Sequence, residues 1–371
     1  GRPSMLRVLA RRLVTPRFAR NASTFAELEQ TMWQRSAAAY DQTFTQVTVQ
    51  AVNALLDGAS VHTTPGRAIT NVMTVAPAKF AMHNEAAIPV PRQQMDGAAL
   101  LPDPTKTRVL DVATGTGLIA AAAMERGATE VVGVDTSQAM IDLCKPIADR
   151  YTGKASFEIG DAQNLPVADN SFDAVILGFC LLHLPEPQKA LEEAFRVLKP
   201  GGKVAFSVWE DPTRGNRAFH LVLDAIAKHG DANKELPGAP LPFFHFADPQ
   251  KASDALTAAG FAASSIKVET IPSVVALTEP DDLFQMFLQA TARTRALLEM
   301  QTPEQLEAIR GAMADAIVSN FGGVTLQGVQ RSTSWLPAIP GTDAPLSDGR
   351  ASGRTPYQAP CPCVIASAMK P

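Results

Sequence analysis

Between Thr107 and Val208, short apolar runs alternate with helical patterns, and this alternation constrains the fold more than any other feature of the chain. The pattern predicts strands at Arg108–Val112, Glu130–Asp135, Ala155–Ile159, Ala174–Phe179 and Lys203–Val208. Helices are predicted between them at Leu118–Arg126, Ser137–Arg150 and Glu186–Leu198. Strands joined in turn by helices run parallel, and a parallel sheet is covered on both faces, so the fold class is α/β. Asp248–Ala259 reads as a further helix stopped by Gly260, and Ser265–Ile271 and Cys361–Ala368 read as further strands. Residues 25–57 read as helix, with Phe25, Leu28, Met32, Tyr40, Phe44, Val47 and Leu55 as its apolar positions. Segments 213–230 and 280–321 are helical as well. Residues 58–106, with six prolines, and 322–356, rich in glycine and proline, read as irregular insertions. They are either genuine loops or translated intron sequence.

The most informative local segment runs from Val109 to Ala120 and reads as a strand, a glycine turn and the start of a helix. Gly115 and Gly117 let the backbone turn tightly and approach a ligand without a Cβ in the way. The helix start offers free N–H groups to a polar or anionic group. Asp135 ends the following strand, where a carboxylate can accept both hydroxyls of a ribose. The glycines alone also fit a dinucleotide fingerprint, Gly115-x-Gly117-x-x-Ala120, which keeps a nicotinamide-dependent oxidoreductase among the readings.

Three further details distinguish the segment. Asp111 stands four residues before Gly115, where a dinucleotide-binding strand is ordinarily apolar. Asp161 follows the third strand in Ile159-Gly-Asp-Ala162, and Arg196-Val-Leu-Lys-Pro-Gly-Gly202 leads into the fifth. With Asp161-Ala-Gln-Asn-Leu-Pro166 and Asp169-Asn-Ser-Phe-Asp173, this order of motifs resembles the class I S-adenosylmethionine-dependent methyltransferases. Specifically, it resembles the broad small-molecule group related to the ubiquinone/menaquinone C-methyltransferases. The resemblance implies a Rossmann-like sheet of seven strands, the last inserted antiparallel, with a helical cap from 213–230 and 280–321. It implies S-adenosyl-L-methionine as cofactor, and transfer of its methyl group to a small, apolar acceptor. It places Asp111, Ala113, Gly115 and Gly117 at the methionine end of the cofactor, Asp135 at its ribose, and Asp161 and Ala162 at its adenine. Ala113 stands where the family has its first glycine.

On the acceptor side, His183 in Cys180-Leu-Leu-His-Leu184 follows the fourth strand and is the candidate catalytic base, or else a histidine that packs its loop. Trp209 and Glu210 end the fifth strand and border the expected acceptor pocket. Phe243, Phe244, His245 and Phe246 either line that pocket or pack a lid on the core. Arg293 and Arg295 are expected on a solvated helix face, with contact to an acidic substrate as the other reading. Cys361 and Cys363 have no second cysteine pair or nearby histidine, so no metal site is expected.

Charge divides the chain. Residues 1–20 hold six arginines and no acid, while the whole chain carries a net −4. An Arg-rich, acid-free segment with Leu6, Leu9, Ala10, Leu13 and Val14 on one side resembles a mitochondrial transit peptide. Residues 1–24 are therefore expected to be a leader to the matrix, with a cytoplasmic protein as the alternative, and residues 25–371 one domain. The acidic remainder and the low aromatic content, 6%, argue against a nucleic-acid partner, and no apolar run is long enough for a membrane span. A non-catalytic assembly or binding protein on the same fold is a third class; a panel of methyl acceptors separates it from an enzyme, and NADH titration tests the oxidoreductase reading.

Overall fold

A computed structural model of the chain describes residues 24–61, 107–234, 236, 241–321 and 357–371. The expected leader lies outside these residues apart from Thr24. So do both insertions, apart from 58–61, which close the preceding helix and its turn.

A seven-stranded sheet forms the centre, in the order β3-β2-β1-β4-β5-β9-β6. Its members are β1 (Arg108–Val112), β2 (Glu130–Asp135), β3 (Ala155–Ile159), β4 (Phe172–Gly178), β5 (Leu198–Trp209), β6 (Lys267–Ile271) and β9 (Cys363–Met369). β1 to β5 pair in parallel, and β9 runs antiparallel between β5 and β6. The expected sheet, parallel except for one late strand, is the sheet that forms. Its central strands supply the core, with Val109, Leu110, Val175, Ile176, Leu177, Val204 and Phe206 all buried.

The structure departs from the sequence reading in three places. Ser137–Arg150 is two helices, Gln138–Leu143 and Lys145–Arg150, divided at Cys144. Pro146 lacks the N–H that a continuous helix would use, and it sits in the first turn of the second helix, where that loss costs nothing. Residues 25–57 are likewise not one helix. Helix α1 (Phe25–Ala39) and helix α2 (Thr45–Gly58) are joined by a π-helical turn at Tyr40–Phe44. A small second sheet, β7 (Val274–Leu277) with β8 (Tyr357–Pro360), is absent from the sequence reading.

Polar contacts set the N-terminal helices, α1 at its own cap and α2 against the body of the fold. α1 begins at a reciprocal cap, in which Glu27 N–H donates to Thr24 Oγ1 at 3.2 Å and Thr24 N–H donates to Glu27 Oε2 at 3.1 Å. Arg126, on the helix after β1, is buried and donates to the Val61 carbonyl at 2.8 Å and to Asn53 Oδ1 at 2.8 Å. Gln50 exchanges two hydrogen bonds with the backbone of Val274, at 2.8 and 3.1 Å. These ties hold α2 along one face of the sheet, where Gly58 packs beside Ala205 of β5 and Ser367 of β9. Among the described residues, no helix is long and apolar enough to cross a membrane.

Candidate active site

At the point where the strand order turns back, between β1 and β4, a cavity of about 390 Å³ opens beyond the carboxyl ends of the strands. One wall is the turn after β1. Ala113, Gly115 and Gly117 all have left-handed backbones, with φ of 54°, 55° and 78°. Gly117 is required on two counts. Its φ disfavours a side chain, and a Cβ there would lie 2.6 Å from Ile147 Cδ1. At Gly115 a Cβ would meet nothing nearer than the Ala113 carbonyl at 4.0 Å, so this glycine keeps the cavity side of the turn open. Ala113 holds the same backbone conformation with a methyl group, at a cost of about 1–2 kcal/mol.

Two carboxylates set this turn. Asp111 is fully buried under it. Its Oδ2 accepts from Thr114 Oγ1 at 2.7 Å and from the Ala120 N–H at 3.0 Å, while Oδ1 has no hydrogen-bond partner among the described residues. Burial raises its pKa from 3.8 to about 7, against the lowering effect of those two bonds. Asp135 ends β2 at the cavity wall. It accepts from the Gly115 N–H on Oδ2 and the Ser137 N–H on Oδ1, both at 2.9 Å. Burial again raises its pKa, opposed by those backbone donors. Farther out, Asp161 stands exposed at the lip and Ala162 is buried beside it; both line the cavity.

The opposite wall is aromatic. Phe179, just past β4, stacks on Trp209 with ring centres 4.1 Å apart. Its backbone is left-handed, φ 52°, held by N–H donation to Ser207 Oγ at 3.0 Å. Phe44, Phe219 and Phe243 continue the wall, Phe44 lying 5.6 Å and Phe219 5.7 Å from the Trp209 ring. Its roof is α1, which contributes Glu29 and Trp33, followed by Tyr40 from the π turn. Burial pushes the Tyr40 hydroxyl up to about 12. Gln34 Oε1 accepts from Ser137 Oγ at 3.0 Å, so the roof is pinned to the loop that carries Asp135.

Residues 110–206 match the family described as a methyltransferase domain. A demethylmenaquinone methyltransferase of Deinococcus radiodurans is 34% identical over 165 residues, which cover 42% of this chain and 67% of that protein. The chain belongs to the class I methyltransferase family. A demethylmenaquinone methyltransferase of Renibacterium salmoninarum is 45% identical over 132 residues, 34% of this chain and 54% of that protein. A ubiquinone/menaquinone biosynthesis C-methyltransferase of Methylobacterium nodulans is 43% identical over 110 residues, 29% and 44% of the two chains. The chain thus spans about half the length of these last two relatives.

Within the family fold, the structure gathers most of the residues singled out from the sequence. Ala113, Gly115, Asp135, Asp161, Ala162, His183, Trp209 and Phe243 all line the one cavity. Asp111 and Gly117 lie behind the wall and shape it. Phe244 and His245 do not reach it. Phe244 packs edge-on against Phe219, and His245 borders a much smaller hollow behind the wall, so the expected acceptor pocket loses both. The expected solvated face of Arg293 and Arg295 is also incorrect. Their side chains are only 11% and 16% exposed, because α1 packs over the late helix (Arg293–Glu299) that carries them. Sequence reasoning overlooked Glu29, Trp33 and Tyr40. One signal was available: Glu29 falls four residues after Phe25 and three before Met32, an acid within the apolar stripe of a helix.

Proposed function

We propose that this protein transfers the methyl group of S-adenosyl-L-methionine to a small, apolar acceptor. The observation that carries the reading is one cavity with two unlike walls, carboxylates and left-handed glycines on one side and stacked aromatic rings on the other. The first wall fits the cofactor. Gly115 leaves its face of the turn clear, Asp111 keeps a buried oxygen unpaired, and Asp135 retains lone pairs beyond its two backbone donors. Gly115, Gly117 and Asp111 would hold or shape the site of the methionine end, Asp135 the ribose, and Asp161 with Ala162 the adenine. When bound, the cofactor supplies an electrophilic methyl group on a sulfonium.

The chain's own contribution is orientation and dryness. Phe44, Phe179, Trp209 and Phe219 offer ring faces that exclude water and favour a planar apolar molecule. Holding such a molecule in one orientation supplies much of the rate of a displacement. The relatives are named for quinone methylation, which makes a reduced quinone ring one acceptor to try first. The Arg-rich, acid-free residues 1–20 support mitochondrial import, and a fluorescent fusion of residues 5–30 that stayed cytosolic would remove that part of the proposal.

The activity is tested with labelled S-adenosylmethionine and a panel of quinols, phenols, amines and fatty acids. The proposal expects label in an apolar, planar acceptor. Binding of the cofactor with no transfer to any class would instead favour a non-catalytic member of the family.

A further inference from the structure

Under α1 the acceptor end of the cavity holds three ionisable side chains from three distant parts of the chain. His183 Nδ1 lies 3.0 Å from Glu29 Oε2, and Arg293 Nε lies 4.0 Å from Glu29 Oε1. All three line the cavity. We propose that Glu29 is a positioning residue that fixes His183 as the proton acceptor of this site, an inference that rests on the methyl-transfer reading.

The argument begins with the cost of the arrangement. Glu29 is 5% exposed, on the apolar stripe of a helix where leucine would pack without penalty. Its Oε1 is buried with no hydrogen bond among the described residues. A carboxylate so placed is stabilised only by its partners, and here those are one imidazole and one guanidinium. Arg293 is itself held in place. It donates to the Leu182 carbonyl at 3.0 Å and lies over the rings of Phe25 and Phe243, at 5.2 and 5.0 Å. Leu182 directly precedes His183, so the cation is braced on the same turn as the histidine.

The geometry assigns a tautomer. An ionised carboxylate can only accept, so the neutral His183 ring carries its proton on Nδ1 and its lone pair on Nε2. Nε2 has no hydrogen-bond partner among the described residues, while the ring is held edge-on by Trp33 with centres 4.9 Å apart. The resulting step is a proton transfer. The acceptor's X–H bond breaks with its electron pair left on X, and the proton forms an N–H bond at Nε2. The imidazolium then rests against Glu29, and its proton passes to water as product leaves. Without Glu29, the more common Nε2–H tautomer would present a donor where an acceptor is needed.

The test reads the tautomer directly and needs no methyl acceptor. The full chain is labelled with ¹⁵N-histidine and observed at a pH where the ring is neutral, the His183 signals being identified by their loss in His183→Gln. The wild type is expected to show a protonated Nδ1. Glu29→Leu should shift the proton to Nε2, and Glu29→Gln, whose amide oxygen can still accept, should restore it to Nδ1. A wild-type ring protonated on Nε2 would overturn the proposal, as would an Nδ1–H ring that persists in Glu29→Leu. If Glu29→Leu fails to fold, Glu29→Met, which also removes the carboxylate acceptor, takes its place with the same two outcomes. In parallel, calorimetry with S-adenosylhomocysteine should give affinities within about threefold for all of these variants. Failure of the wild type to bind it would remove the methyl-transfer reading and leave the tautomer result standing.

Discussion

The two walls of the cavity are built by different kinds of chain. The carboxylate and glycine wall comes from successive strand ends within residues 111–162, each element placed by its neighbours in sequence. The aromatic wall and its roof gather Glu29, Phe44, Phe179, Phe219 and Arg293 from positions up to 264 residues apart. The first is held by backbone hydrogen bonds and steric necessity, the second by ring-on-ring packing between strand ends and helices. It follows that damage to the first wall should register in folding and cofactor binding, and damage to the second in handling of the acceptor.

Asp111 offers the largest expected effect. Its pKa is raised from 3.8 to about 7 by burial, so the folded state holds a proton that the unfolded chain releases between those values. An acid with a raised folded pKa loses stability as pH rises through that window, because ionisation is then costlier folded than unfolded. The loss is roughly 3–4 kcal/mol across pH 4 to 7 and level above it. Chemical denaturation of wild type and Asp111→Asn across this range should show a difference that narrows as pH falls. Parallel profiles would mean that Asp111 is ionised throughout.

Next comes Gly117→Ala. Its φ of 78° and a Cβ 2.6 Å from Ile147 Cδ1 should together cost about 2–4 kcal/mol, read as a lowered Tm. An unchanged Tm would show that the turn can relax, and would undo the contrast between a rigid and a packed wall. The smallest effect expected is the reverse change. Ala113→Gly relieves a left-handed alanine at φ 54° and should stabilise by about 0.5–1 kcal/mol after the entropy of the added glycine. Destabilisation would show that the Ala113 methyl contributes packing worth more than the strain.

The same contrast explains what could be read in the sequence. β1, β2, β3 and the helix Leu118–Arg126 fall on their predicted residues, since short apolar runs and glycine turns are local signals. Asp135 and Asp161 were legible for the same reason: a strand end fixes where its last carboxylate points. The roof was not legible. Nothing near Trp33 or Tyr40 in sequence says that they roof the cavity, because that depends on contacts with distant segments, Gln34 with Ser137 and Ser36 with the Thr291 carbonyl. The pairing of β7 with β8 joins segments about eighty residues apart, and Tyr357–Pro360 is too short for a periodic signal. Phe244 and His245 were misplaced because a run of four aromatic residues reads as one surface. In the 3₁₀ turn His245–Ala247 it sends its members to different neighbours.

The most direct measurement of the two-wall account is a paired calorimetric titration with S-adenosylhomocysteine, using Asp135→Ala from one wall and Phe243→Ala from the other. Asp135 links the Gly115 turn to the loop after β2 through two backbone N–H groups. Its removal should weaken binding by roughly 30- to 100-fold, the scale of charge-assisted hydrogen bonds. Phe243→Ala should leave the affinity within about threefold. Equal losses in both variants, or an Asp135→Ala protein that binds as tightly as the wild type, would contradict it.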